Sequence, residues 1–167
     1  MCKLFKLFSF GVKEPSVAQN DEDKYFLEAY ENPLKYLTNS SGKSWADTKS
    51  IGGGTPHYSG ETCDLFDDLD VKIGRTVFAH VHRFSICPER NVAVIKHFAL
   101  SSKDYAKKGL SYKIIKALGE ELKANHDVDK IQFHISPDKP EFKIFFRNKL
   151  RAKSIDPNGF IWEWRIP

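Results

Sequence analysis

This 167-residue chain has few cysteines, only short apolar runs and only a small excess of positive charge. The three cysteines, Cys2, Cys63 and Cys87, are odd in number and share no CxxC spacing. This argues against a disulfide framework or a zinc knuckle and predicts a reducing, cytoplasmic location. The formal net charge of +4 is too small for a dedicated nucleic-acid binder. With 41% hydrophobic residues, the expected class is a globular protein.

The N-terminal segment MCKLFKLFSF interleaves Lys3 and Lys6 with leucine and phenylalanine. Its apolar run is too short to span a bilayer. As a helix the segment could lie on a membrane surface, but a strand or arm packed on the domain is favoured. We therefore expect an N-terminal arm or strand over residues 1–20 and a single domain over residues 21–167.

Residues 39–70 lack any periodicity that predicts a long helix or strand, and they contain NSSGKS, GGGTPHYSG and DLFDDLD. The GGGT stretch lacks the lysine and the following helix of a P-loop, so it predicts a turn. We expect a long irregular excursion here with at most short elements, and a loop of this length is uncommon unless it is functional or mobile.

The remaining chain carries clear helical and strand periodicities. Asn20 or Asp21 can cap a helix that runs to about Leu37, with an interruption at Pro33. The later elements follow in the order hairpin of 76–86 with 91–100, helix 110–125, strand 128–136, helix from Pro140 and strand 160–166. The crossover between strands 91–100 and 128–136 predicts parallel pairing. The expected fold class is α/β, with a central mixed sheet flanked by helices.

The stretch SSKDYAKKGLS leads from the second hairpin strand into the helix of residues 110–125. A ligand in such a sheet lies beyond the carboxyl end of the strand, at the helix N-terminus. There the free N–H groups of Lys108 to Ser111 would converge on an anion, and Gly109 would permit close approach. Lys103, Lys107 and Lys108 add positive charge. This chemistry suits a pyrophosphate.

The passage HFALSSKDYAKKGLS resembles the strand-to-loop passage of the GNAT superfamily of acyl-coenzyme A-dependent N-acetyltransferases. In that superfamily the loop has the form Gln/Arg-x-x-Gly-x-Gly/Ala. In this chain Ala106 stands at the position of the Gln or Arg, and Ser111 stands at the position of the final Gly or Ala. The resemblance extends over roughly residues 75–167 through the order of elements. It implies a GNAT-like fold and acetyl-coenzyme A as co-substrate. The implied cofactor contacts are Phe98, Ala99, Leu100, Ala106, Lys107, Lys108, Gly109, Leu110 and Ser111.

The implied activity is acetyl transfer to an amine of a small molecule or protein, which needs a base for the ammonium and a donor for the departing thiolate. GNAT enzymes often carry a carboxylate on the strand before the loop and a tyrosine on the later helix. Strand 91–100 has no Asp or Glu, and the later helix offers Phe145 and Phe146. A catalytically silent GNAT-fold binding or assembly protein is therefore the alternative.

Histidines could supply the missing base. If CPER closes the hairpin, His80 faces His97, and Phe78, His80, His82 and Phe84 share a face with Ala93, Ile95, His97 and Ala99. We assign His97 and His80 as candidate catalytic residues, with Ser136 placed to orient an acceptor. The histidines could also bind zinc or form an inert surface, and no residue is assigned to a metal.

Two further patterns near the C-terminus have structural interpretations. Alternation in FIWEWRIP predicts that Trp162 and Trp164 belong to the core of a half-buried strand and do not stack on nucleic acid. The basic residues from Lys139 to Lys153 predict a solvated face that could receive an acidic partner.

Overall fold

The structure is a computed structural model that describes residues 17–50, 52–53 and 63–167. Its helices are α1 (Val17–Glu31), α2 (Lys103–Lys107), α3 (Leu110–Asn125) and α4 (Glu141–Asn148). Its strands are β1 (Leu37–Asn39), β2 (Gly52–Gly53), β3 (Asp64–Leu65), β4 (Leu69–Ile73), β5 (Thr76–Cys87), β6 (Val92–Leu100), β7 (Lys130–His134), β8 (Lys153–Ser154) and β9 (Ile161–Arg165).

The described strands form one mixed sheet in the order β1-β4-β5-β6-β7-β9-β8, with β3 also paired to β5 and β2 paired to β3. Strands β6 and β7 run parallel on either side of the crossover through α3, as predicted. The other ladders are antiparallel. The expected α/β class with a mixed sheet flanked by helices is therefore confirmed.

The first helix departs from its predicted limits at both ends. It begins at Val17, so the last residues of the predicted arm belong to α1, and it ends at Glu31. A separate 3-10 turn, Pro33–Tyr36, follows. Pro33 explains the break, because a proline disfavours helical geometry in the residue before it, and Asn32 has φ −136° and ψ 64°. Residues 1–10, where a packed arm or strand was favoured over a membrane-surface helix, lie outside the described residues.

The α3 helix confirms its predicted limits and its apolar stripe. Leu110, Ile114, Ile115, Leu118 and Leu122 are all fully buried in the main core. Gly119 faces the C-terminal strand, where an added Cβ would lie 2.6 Å from Cζ3 of Trp164. Trp162 and Trp164 are themselves buried, which confirms the core interpretation of this strand.

The hairpin register differs from the predicted one by two residues. Cys87 pairs with Val92, so the connection is residues 88–91 and Cys87 is not part of the turn. His82 therefore faces His97, and His80 faces Ala99. Asn91 closes the connection in the left-handed conformation, at φ 56°.

The predicted shared face of this hairpin is also wrong. Val81 and Phe84 both lie in the main core although they are three residues apart, and so do Ile95 and Phe98 on β6. Regular alternation places only residues two apart on one face, so the alternation reverses on both strands. On β5 the reversal coincides with Arg83, whose φ is 55°. The histidines consequently do not share the face of Phe84 and Ile95.

The described part of the excursion of residues 39–70 contains only short elements. DLFDDLD contributes β3 and the start of β4, and β4 is a full neighbour of β5 in the sheet. Alternation of buried Leu69 and Val71 with Asp70 and Lys72 is the strand signal in this stretch.

The argument against a disulfide is wrong. Cys63 and Cys87 are disulfide-bonded, with a Cα–Cα distance of 4.2 Å. Asp64 pairs with Ile86, so Cys63 continues the antiparallel register to the position opposite Cys87. Odd cysteine number and the lack of a CxxC spacing say nothing about such long-range pairing.

Within the described part of the chain, no helix has the length and apolar character needed to cross a membrane.

Candidate functional site

The parallel strands β6 and β7 separate part of the way along the sheet. Their pairing ends at Ile95 with Phe133, while β6 continues to Leu100. A cavity of about 70 Å³ opens beyond this point, lined by residues 96–99 of β6 and residues 133–136 of the β7 segment. The second half of β6 is thus left without a β7 neighbour on that side.

A larger cavity of about 700 Å³ lies beside the small one and shares Ala99, Lys139 and Phe142 with it. It is enclosed by the end of β6, the α2 segment, the start of α3 and the α4 segment. Its described lining residues are Tyr30, Ala99, Leu100, Ser102, Lys103, Ala106, Gly109, Ser111, Tyr112, Lys139, Glu141, Phe142, Phe145, Asn148, Lys149 and Arg151.

Local capping places α2 and α3 at this cavity. Ser102 begins α2, where its side chain accepts a hydrogen bond from the Asp104 backbone N–H at 3.2 Å. Gly109 then adopts φ 83° and begins α3, a conformation that side chains other than glycine rarely take. The first N–H groups of a helix have no intrahelical acceptor, so the start of α3 offers donors at the cavity.

The predicted donors are only partly available. The N–H groups of Lys108 and Gly109 donate to carbonyl groups of α2, at 3.2 Å to Tyr105 and 3.0 Å to Ala106. The predicted convergence of four N–H groups is therefore wrong for these two residues. The N–H groups of Leu110 and Ser111, at the beginning of α3, remain the candidates.

The positive charge at the cavity comes from different residues than predicted. Lys103 lines it as expected, but Lys107 and Lys108 do not. Lys108 instead places its ammonium 4.8 Å from the centre of the Phe26 ring. Lys139, Lys149 and Arg151, which were interpreted as a solvated face, line the cavity. They lie around α4, opposite the start of α3.

Five of the nine predicted cofactor contacts line the large cavity: Ala99, Leu100, Ala106, Gly109 and Ser111. Phe98 lines the small cavity. Lys107, Lys108 and Leu110 line neither, and the Leu110 side chain is fully buried in the core. Contacts through the main chain stay a prediction for these residues.

The predicted catalytic residues divide between two places. His97 and Ser136 line the small cavity together with His134. Ser136 donates its hydroxyl to the Asp138 carboxylate. His80 lies elsewhere, in a cluster with Asp70 and His82.

The pKa values of the two cavity histidines are both lowered. Burial lowers the pKa of His97 below 6.5, and His82, His80 and Lys139 lower it further, while Asp68 opposes this. Burial also lowers the pKa of His134, with Lys96 adding to the effect and Asp156 opposing it. His97 is therefore a neutral imidazole near pH 7, the form that can accept a proton.

Asp70 holds the other two histidines of the predicted cluster. Its Oδ1 lies 2.7 Å from Nδ1 of His80 and 2.9 Å from Nε2 of His82. Burial raises the pKa of Asp70, but hydrogen bonds with His82 and His80 outweigh it and the pKa lies below 3.8. The ring centroids of His82 and His97 are 5.6 Å apart, so the expected clustering of three histidines is confirmed.

Sequence reasoning missed Asp70 and the cavity contribution of Tyr30 and α4. The alternation of apolar and polar residues around Asp70 could have indicated a strand. In such a strand the Asp70 carboxylate lies on the polar face. No sequence signal indicated Tyr30, because its place at the cavity depends on how α1 packs.

Comparisons of the chain with protein-family models, with curated proteins and with solved structures found no match.

Proposed function

We propose that this chain is a coenzyme A-dependent N-acyltransferase that transfers an acetyl group from acetyl-coenzyme A to an amine of a small molecule or protein. The observation that carries the proposal is the cavity of about 700 Å³ at the end of β6 and the start of α3. It lies beyond the carboxyl end of a parallel strand and at a helix N-terminus, where phosphate-bearing ligands bind in α/β sheets.

The charges around the cavity support a pyrophosphate. Lys103 at the start of α2 and Lys139, Lys149 and Arg151 around α4 would surround it, with the N–H groups of Leu110 and Ser111 as donors. The acyl arm of acetyl-coenzyme A would extend along β6 past Ala99 and Leu100. Its thioester would then reach the small cavity, which holds His97 and Ser136.

In the proposed transfer step, His97 acts as the base. His97 takes the proton from the acceptor ammonium, and the free amine attacks the thioester carbonyl carbon. A carbon–nitrogen bond forms and the carbon–sulfur bond breaks, and the departing coenzyme A thiolate takes up the second proton that the amine nitrogen loses. Ser136 would orient the acceptor, and Tyr30 and Tyr112 bring hydroxyl groups to the large cavity.

Calorimetric titration of the full chain with acetyl-coenzyme A tests the cavity. Ala106→Trp places an indole in the cavity from an exposed helix position, and Ala124→Trp makes the same change on the exposed surface of α3, outside the lining. We expect micromolar binding by the wild type and by Ala124→Trp, and none by Ala106→Trp. A folded wild-type protein that does not bind would overturn the proposal.

A catalytically silent binding protein with this fold is the second candidate. It is favoured by the absence of Asp and Glu from β6 and by Phe145, which lines the cavity where GNAT enzymes often have a tyrosine. Thiol release from acetyl-coenzyme A across a panel of amines separates the two. Release that His97→Gln abolishes favours the enzyme, and tight binding without release favours the silent protein.

The proposed location is the cytoplasm, although the Cys63–Cys87 disulfide removes the argument from cysteine spacing. Disulfides persist mainly in oxidising compartments. Counting free thiols in protein that is alkylated directly in cell lysate tests the location. Reduced Cys63 and Cys87 would support a reducing compartment.

A further inference from the structure

The cluster of Asp70, His80 and His82 is a second site, outside the lining of the two cavities. Asp70 comes from β4, and both histidines come from β5. One ligand atom from each residue lies within 4.8 Å of the other two. None of the three lines either cavity.

The sheet itself holds this arrangement. Asp70 and His80 are directly opposed in the β4–β5 ladder, and His82 lies two residues further along β5 on the same face. The imidazole rings of His80 and His82 are 5.0 Å apart between centroids. Ligands on paired strands are held more precisely than ligands on loops.

The two imidazole nitrogens and one carboxylate oxygen are the donors that zinc and related transition-metal ions prefer. Ligand atoms around zinc at about 2.0–2.1 Å stand about 3.3 Å apart, so the present contacts of 2.7 and 2.9 Å need to widen by about 0.5 Å. The side chains of Asp70 and His82 are each 28% exposed, which leaves a path for an ion to enter.

A surrounding carboxylate supports the orientation of one ligand. Asp68 Oδ2 lies 3.9 Å from Nδ1 of His82, the nitrogen that does not face Asp70. The Arg83 backbone N–H donates to Oδ1 of Asp68 at 2.9 Å and holds that carboxylate in place. Metal-binding histidines commonly donate their second N–H to a carboxylate, and this 3.9 Å contact would have to shorten to hydrogen-bond length to do so.

We propose that Asp70, His80 and His82 bind a divalent transition-metal ion of the zinc class. His80 is then a metal ligand and not a catalytic base. The proposal does not depend on coenzyme A binding, because its residues lie outside the large cavity. It departs from the sequence analysis, which assigned no residue to a metal.

Titration of the tag-free full chain with Zn²⁺, followed by calorimetry, and with Co²⁺, followed by visible absorption, tests the site. A Cys2→Ser sample run in parallel excludes binding by a free thiol. We expect one bound ion per chain. Asp70→Asn, His80→Asn and His82→Asn should each weaken binding more than about tenfold, and Asp68→Asn by about tenfold.

His126→Asn is the matched control, because His126 is exposed and stacks on Trp45 away from the cluster. It should bind Zn²⁺ as the wild type does. Absence of binding by the wild type, or equal weakening by the control and the cluster variants, would overturn the proposal.

NMR signals of the histidine rings test the site in the wild-type protein itself, so this test does not depend on whether a variant folds. On addition of Zn²⁺ the ring signals of His80 and His82 should shift and those of His126 should not. Unchanged His80 and His82 signals at saturating Zn²⁺ would also overturn the proposal.

Discussion

Tyr105 joins α2 to α1 through one hydroxyl, which donates to Oε2 of Glu22 at 2.7 Å. Its ring also packs against Phe26 and Phe78, with centroids 5.3 and 5.1 Å away. Tyr105→Phe keeps these ring contacts and removes only the hydrogen bond. We expect the free energy of unfolding to fall by about 1 kcal/mol in urea denaturation at pH 7.

The pH dependence of this effect follows from the pKa of Tyr105. Burial, together with the hydrogen bond to Glu22, raises the pKa from 10.0 to about 12. The folded state therefore favours the protonated hydroxyl, and its contribution is complete below pH 10 and lost as the pH rises through about 12. Tyr112→Phe, at a tyrosine that is 38% exposed, is the control and should leave the free energy of unfolding at pH 7 close to that of the wild type.

His97 gives a second prediction at the residue scale. Its pKa is lowered chiefly by burial, so the folded state resists protonation more than the unfolded state. Relative to His97→Gln, the wild type should lose stability as the pH falls below 6.5 towards the folded pKa. NMR titration of the His97 ring checks the pKa directly, and a midpoint at or above 6.5 would contradict the prediction.

At the scale of elements, Gly119 sets the distance between α3 and β9. A Cβ at this position would lie 2.6 Å from Cζ3 and 2.9 Å from Cη2 of Trp164, closer than real contacts. Gly119→Ala should therefore lower the free energy of unfolding by about 1 kcal/mol, although alanine is the better helix former. Urea denaturation measures the change.

The Trp164→Phe background provides the control for Gly119→Ala. Phenylalanine lacks the outer ring atoms that the new methyl group would meet. In this background we expect the alanine substitution to be neutral or stabilising. The same effect in both backgrounds would show that the contact with Trp164 does not limit this position.

At the scale of the whole molecule, the disulfide ties the short β3 segment to the end of β5. Cys63 and Cys87 are 24 residues apart in sequence, so the bond closes a loop that the unfolded chain would otherwise leave free. Replacing both by alanine should lower the free energy of unfolding by about 3 kcal/mol. Thermal or urea unfolding of the oxidised proteins measures this.

Reducing agent and Cys2→Ser separate the bond from other cysteine effects. Dithiothreitol should destabilise the wild type and leave the double alanine variant unchanged. Cys2→Ser should match the wild type under both conditions. Three free thiols in the purified, unreduced protein would contradict the disulfide.

Local periodicity was enough to predict the α3 helix, the parallel crossover and the C-terminal strand. The apolar stripe from Leu110 to Leu122 and the alternation around Trp162 and Trp164 each repeat over several turns or residues. A repeat of that length specifies both the element and its buried face, whatever it packs against. The α/β class followed from the order of these elements.

Tertiary structure alone decided which distant residues meet. The register of β5 on β4 and β6 brings Asp70 to His80 and His82, and the pairing of β3 with β5 brings Cys63 to Cys87. The packing of the α4 segment beside α2 and α3 brings Lys149 and Arg151 to the large cavity. Register and packing depend on contacts across long sequence distances, and a local backbone distortion such as that at Arg83 reverses the side-chain faces without leaving a periodic signal.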